Sequence, residues 1–168
     1  YLLDAPVSPH IAALRAGRRI DIAHLVRCFE ALQAQADAVV VEGAGGFCVP
    51  LSRTETGADL AAALKLPVIL VVGLRLGCLN HALLTAQAIA ARGLTLAGWV
   101  ANRIAPDMPE QETNIASLQQ WLDAPLLAPD DAPLGEADLV FLGLPHGVAA
   151  GVARRALHAG VRVIDLSA

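Results

Sequence analysis

Lysine is almost absent from this chain of 168 residues: 11 of its 12 basic residues are arginines, and Lys65 stands alone. Loops of the form G-x-x-x-x-G-K-[ST] place a lysine on transferred phosphates. Lys65 lies in Ala-Leu-Lys-Leu-Pro, without a glycine before it or a hydroxyl after it, so these residues contain no such loop. Long apolar runs are missing too. The longest, Leu66 to Leu74, is about half of what a membrane-spanning helix needs, and Arg75 ends it. No basic run exceeds two arginines and the net charge is −4, which argues against a nucleic-acid surface. The opening has no basic start and is broken by Asp4, Pro6 and Pro9, so it does not read as a signal peptide. Cysteines are few. Cys28, Cys48 and Cys78 are spaced for neither a zinc knuckle nor a disulfide framework, and free thiols in a cytoplasmic protein are expected.

What is abundant is aliphatic side chain. Apolar residues make up 55% of the chain against 4% aromatics, and the mean hydropathy is +0.54. That excludes disorder and supports one compact core. Short apolar runs alternate with longer amphipathic ones, the pattern of an α/β chain with a parallel sheet. Asp21 is expected to cap a helix from Ile22, whose Leu25, Val26, Phe29 and Leu32 follow at helical spacing. Ala38 to Val41 reads as a strand buried on both faces, and Pro67 to Val72 as a second. Asp59 to Lys65 reads as a short helix, and Gly77 to Arg92 as a longer one stopped by Gly93. Leu96 to Ala101 is a strand ending at Asn102, and Pro109 to Leu122 a helix started by Asp107. Residues 129 to 136 are a proline- and acid-rich linker. Beyond it, Asp138 to Leu142, Val148 to His158 and Val161 to Leu166 form a strand–helix–strand unit.

Three segments carry candidate chemistry. Glu42-Gly43-Ala44-Gly45-Gly46 follows an apolar run, at the carboxyl edge where open α/β sheets bind ligands. Glu42 suits Mg²⁺, and the small residues suit close approach of a phosphate; the same residues also fit a plain turn with Glu42 in solvent. Gly77-Cys78-Leu79-Asn80-His81 opens a helix, where free amides attract an anion and Arg75 adds charge. It equally fits Asn80 as a cap, His81 on the surface and Cys78 as a small buried thiol. Asn102 at a strand end can read a base edge or simply form a turn. His10, in Ser8-Pro9-His10, reads as structural without an obvious partner, and no serine sits in a nucleophile elbow.

Taken together, Ser8-Pro9-His10, Val41-Glu42-Gly43-Ala44-Gly45-Gly46, Leu66 through Gly73, Leu76-Gly77-Cys78-Leu79-Asn80-His81-Ala82 and Leu96 through Asn102 occur in the order found in one family. Residues 1 to 128 resemble the C-terminal two-thirds of dethiobiotin synthetase, the ATP-dependent ligase of biotin biosynthesis. The resemblance implies closure of a cyclic urea from 7,8-diaminopelargonate and CO₂ with MgATP, in a cytoplasmic homodimer. It implies that Glu42 binds Mg²⁺, that Glu42, Gly43, Ala44 and Gly45 line the nucleotide phosphates, and that Asn102 and Arg103 recognise adenine. It further implies that Gly77, Cys78, Leu79 and Asn80 hold the distant carboxylate of the substrate.

The implied fold is a P-loop NTPase-like parallel sheet with flanking helices, lacking the strand that carries the phosphate loop. That loop's lysine, and a second lysine and serine at the diamine, are expected upstream of Tyr1. No catalytic residue is assigned within these residues, and the 168-residue chain is expected to be inactive alone. Ala128-Pro129-Asp130-Asp131 replaces the family's Gly-x-Ile-Pro, and Asn114 stands where some members carry tyrosine. Residues 137 to 168 are similar instead to the NADP-binding domain of N-acetyl-γ-glutamyl-phosphate reductase, a Rossmann-like unit. His146 falls there without the nucleophile that it would assist. The expectation is a chain joining parts of two enzymes. Two other readings are a relative of the cobyrinate-amidating enzymes and a non-catalytic binding module.

Overall fold

The computed structural model describes residues 1–36, 39–105 and 107–127, together with two further strands at Leu139–Leu142 and Arg162–Asp165. The chain divides into two units, Tyr1–Glu30 with Glu42–Leu126, and Ala31–Val41 with Leu127–Ala168.

The first unit is built around two parallel strands, β1 (Val68–Gly73) and β2 (Leu96–Asn102). They pair from Val68 with Leu96 to Gly73 with Asn102, with a register shift after Val68. Leu126 adds a bridge to Trp99 on β2, and the Trp99 amide donates to the Pro125 carbonyl at 3.0 Å. Two helices, α4 (Cys78–Ala91) and α5 (Gln111–Trp121), bury the core with the strands. Leu74, Trp99 and Leu118 are fully buried, with Val72, Cys78, Ala82, Ile115 and Leu122 around them.

Three helices precede this core: α1 (Pro9–Arg15), α2 (Ile22–Gln33) and α3 (Gly57–Leu64). Pro9 at the first position of α1 suits a proline, whose missing N–H would be unpaired there anyway. Asp21 caps α2 as expected, its carboxylate accepting from the Ala23 amide at 3.0 Å. A second, smaller core joins Ala13, Ile20 and Leu51, with Leu25, Val49 and Leu60 against it. Asp59 locks the start of α3 by accepting from the Thr56 amide at 2.7 Å and the Thr56 hydroxyl at 2.8 Å. The same carboxylate pairs with Arg92 at the end of α4.

Several boundaries differ from the sequence reading. Val39 to Val41 is not a strand, and Val40 and Val41 are exposed. A parallel strand needs a neighbour for its N–H and C=O groups, and β1 and β2 pair only with each other and Leu126 among the described residues. β1 is buried on one face rather than two. Val72 faces the helices, whereas Ile69 and Val71 are 56% and 59% exposed, because α4 and α5 cover a single face. Asp107 does not start α5; Glu110 does, in the left-handed region at φ 56°. In the second unit, β3 (Leu139–Leu142) and β4 (Arg162–Asp165) pair in parallel. Both expected strands are present there. The helix expected over Val148 to His158, the 129–136 linker and His146 lie outside the described residues.

The core predicts a contrast within one helix. Leu118→Ala should destabilise the protein by about 2–5 kcal/mol, whereas Trp121→Ala, at a side chain 72% exposed, should cost about 0.5 kcal/mol or less. Denaturant unfolding of both variants measures it.

A second prediction follows from Asp59. The Arg92 guanidinium, then the Thr56 hydroxyl and amide, lower its pKa from 3.8 to about 2. A carboxyl depressed on folding contributes stability that is present above its unfolded value and lost as pH falls through its folded value. Unfolding of the wild type should therefore steepen between about pH 4 and pH 2. Asp59→Asn should flatten that slope in a denaturant series across this window.

Candidate functional site

The parallel register decides what can meet at the sheet edge. Gly73 pairs with Asn102, so β1 and β2 end side by side. The Leu74 amide then donates to the Asn102 carbonyl at 2.7 Å, and the Ile104 amide to the same carbonyl at 3.0 Å. Two of the three segments singled out in the sequence thus leave one carboxyl edge together, the loop to Gly77 and the loop from Asn102.

At the first, Gly77 takes φ +93° and serves as the N-cap of α4. Only glycine holds this region without a Cβ penalty. Asn80 is therefore inside the helix and exposed; it is not the cap. Cys78 is buried, in line with the expected small buried thiol, and Leu79 is half-buried against the core. The Cys78 amide donates to Arg75 at 3.0 Å and the His81 amide to Gly77 at 3.2 Å. Helix geometry leaves the Leu79 and Asn80 amides without a carbonyl one turn back, facing the end where partial positive charge collects. Arg75 and His81 are both exposed beside them.

At the second, Asn102 is half-buried at the strand end and Arg103 is exposed. The Arg103 guanidinium is engaged by two side chains from the start of α5, donating to Gln111 Oε1 at 2.8 Å and Glu112 Oε1 at 2.6 Å. Gln111 Nε2 in turn donates to the Ala105 carbonyl at 2.6 Å. This clamp closes the loop after β2 onto α5, and Gln111 and Glu112 were not anticipated. Their signal was an arginine at a strand end with Gln-Glu opening the next helix. Asn114 joins the two segments. Its Nδ2 donates to Glu110 at 2.8 Å, and the Cys78 thiol lies 3.9 Å from its Oδ1.

The third segment stands apart in character. Glu42, Gly43, Ala44, Gly45 and Gly46 are all exposed. Gly45 takes φ +98°, its amide donates to Gly43 at 3.1 Å, and the turn leads to a bridge between Pro50 and Thr56. His10 has a partner after all, its Nδ1 lying 3.2 Å from the Pro50 carbonyl.

The Glu42 carboxylate stands open to solvent. Among the described residues no three His, Cys, Asp or Glu side chains gather as a metal site. A Mg²⁺ there would have Glu42 as its one carboxylate and phosphate oxygens for the rest. Cavities of about 360 and 380 Å³ lie elsewhere. The first is lined by Lys65, Pro67, Arg92 and Thr95 at the amino-terminal edge of the strands, and the second by Arg19, Ile20, Asp21 and Glu55. The residues at Glu42 do not by themselves form a nucleotide pocket. Among the described residues no helix is long and apolar enough to cross a membrane.

Comparison with known proteins relates the two parts of the chain to two families. The model of the family described as AAA domain matches residues 1–129. The chain belongs to that family. Over 127 residues it is 61% identical to the ATP-dependent dethiobiotin synthetase BioD of Aromatoleum aromaticum and 61% identical to that of Ralstonia nicotianae. The synthetase of a Janthinobacterium species is 60% identical over the same length. These matches take in 76% of this chain but 54 to 56% of the relatives, so the chain spans about half their length. A second model, of the NAD binding domain of semialdehyde dehydrogenase, matches residues 100–168. The two-part resemblance read in the sequence is thereby shown: homology to dethiobiotin synthetases, then a dehydrogenase-like tail.

The left-handed cap of α4 makes a direct prediction. Gly77→Ala should destabilise the protein by about 1 kcal/mol or more, since alanine at that φ is strained. A shift in the denaturant midpoint without a change in slope measures it.

Proposed function

We propose that residues 1 to 128 supply the nucleotide-edge and substrate-carboxylate elements of an ATP-dependent dethiobiotin synthetase acting on 7,8-diaminopelargonate and CO₂. The observation that carries this reading is the 61% identity over 127 residues, reinforced by the Gly73–Asn102 register that brings two of the segments to one edge. In this reading the Leu79 and Asn80 amides at the start of α4 receive the substrate's distant carboxylate, with Gly77 and Cys78 shaping the turn. Across the same edge, Asn102 offers its paired donor and acceptor to adenine, and Arg103 holds the loop against α5.

Glu42 supplies a carboxylate for Mg²⁺, with Gly43, Ala44 and Gly45 alongside the phosphates. Bound MgATP would supply the phosphoryl group that turns a carbamate oxygen into a leaving group, with ADP released first and phosphate on ring closure. The residues described here would position and orient, while the phosphates need a phosphate-loop lysine, which Lys65 in Ala-Leu-Lys-Leu-Pro is not. A homodimer in the cytoplasm completes the proposal. The tail from residue 137 is proposed as a separate dinucleotide-domain fragment joined through residues 129 to 136.

The test is a chimaera. The purified 168-residue chain should form no dethiobiotin from diaminopelargonate, CO₂ and MgATP. Joining residues 1 to 128 to the part of the Aromatoleum synthetase that they do not match should give turnover. Glu42→Gln in that chimaera should then lower kcat by about 100-fold, the size of losing one preorganised electrostatic contact. A folded chimaera without activity, or one indifferent to Glu42, would remove the proposal.

A further inference from the structure

The helix α2 carries a pair of side chains that the reading above does not use. His24 and Cys28 are four residues apart and so share one face of the helix. Cys28 is exposed and free, and its sulfur lies 3.6 Å from Nε2 of His24. We propose that these two side chains form a site for a thiophilic divalent cation of the zinc class, with water completing the coordination.

The separation is what argues for it. Two ligands on a tetrahedral zinc ion, with Zn–S about 2.3 Å and Zn–N about 2.05 Å, sit about 3.6 Å apart. A right-angled arrangement with the same bonds would bring them to about 3.1 Å, and a linear one would part them to about 4.3 Å. The observed 3.6 Å spacing is compatible with the tetrahedral one.

The imidazole is also held. The Tyr1 ring meets it edge-on, with centroids 5.1 Å apart and planes at 64°. The Tyr1 hydroxyl accepts from the Asp21 amide at 3.2 Å, anchoring that ring at the helix start. Without metal, a hydrogen bond between the thiol and Nε2 keeps the two donor atoms at this spacing. When the cation binds, the thiol proton leaves to solvent, sulfur and Nε2 each donate a lone pair to the ion, and no electron is transferred. Two protein ligands make an exchangeable site rather than a structural one, since structural zinc takes four.

Cobalt provides the probe. Titrating the 168-residue protein with Co²⁺ should produce a thiolate-to-cobalt charge-transfer band in the near ultraviolet, which Zn²⁺ displaces. Cys28→Ser should abolish the band and Cys48→Ser should retain it. His24→Ala should raise the dissociation constant by about 100-fold, the loss expected when the second of two linked contacts is removed. No band, an equal band in Cys28→Ser, or unchanged affinity in His24→Ala would each overturn the proposal. A measurement on the wild type guards against misfolded variants. Zinc should slow alkylation of Cys28 while leaving the exposed Cys48 unaffected, as mapped by peptide mass. Equal rates at Cys28 with and without zinc would also overturn it.

Discussion

The bond from the Leu74 amide to the Asn102 carbonyl, 2.7 Å long, closes the parallel pairing one step beyond β1. Two of the three candidate segments depend on that closure. Because Gly73 lies opposite Asn102, the turn into α4 and the turn toward α5 emerge at the same edge. Because Leu74 is then fully buried with Trp99 and Leu118, the two helices have a fixed surface to pack on. A slip of one residue would turn the Leu70 and Val72 face outward and carry Gly77 and Asn102 out of step. The site segments are thus placed by backbone register before any side chain acts.

On that edge the chain uses main-chain groups more than charged side chains. The Leu79 and Asn80 amides at the start of α4 form the anion-attracting end, and Gly77 makes the turn that exposes them. Arg103, the nearest cation after β2, is already committed to Gln111 and Glu112 and works as a loop clamp. This division agrees with the chain's composition, in which only one lysine occurs and lies at the opposite edge in a left-handed helix end. Backbone amides can orient a carboxylate or phosphate. Transferring a phosphoryl group demands more concentrated positive charge.

Much of this was legible in the residues. β1 and β2 were readable because strands of a parallel sheet are near-continuous runs of aliphatic residues. The helix α2 announced itself through Asp21 and its spacing, and α4 through the glycines at either end. Val39 to Val41 carries the same texture as β1 and yet forms no strand. Composition states that a run is apolar, whereas strand formation depends on a neighbour that local sequence does not specify. The faces of β1 were hidden for the same reason, since Ile69 and Val71 are as aliphatic as the inward residues. Cap positions failed differently. Asn80 and Asp107 are favoured cap types, but Gly77 and Glu110 hold the left-handed conformations that start these helices. The His24–Cys28 pair was not singled out in the sequence, and only the structure sets its atoms 3.6 Å apart.

Amide exchange at Leu74 tests the register most directly. If the bond to Asn102 closes the sheet edge, the Leu74 amide should be protected comparably with the paired amides of β1 and β2. The amides of Val40 and Val41, outside any strand, should exchange far faster. Exchange of Leu74 as fast as Val40 and Val41 would show that the edge is open, and that Gly77 and Asn102 are not held together.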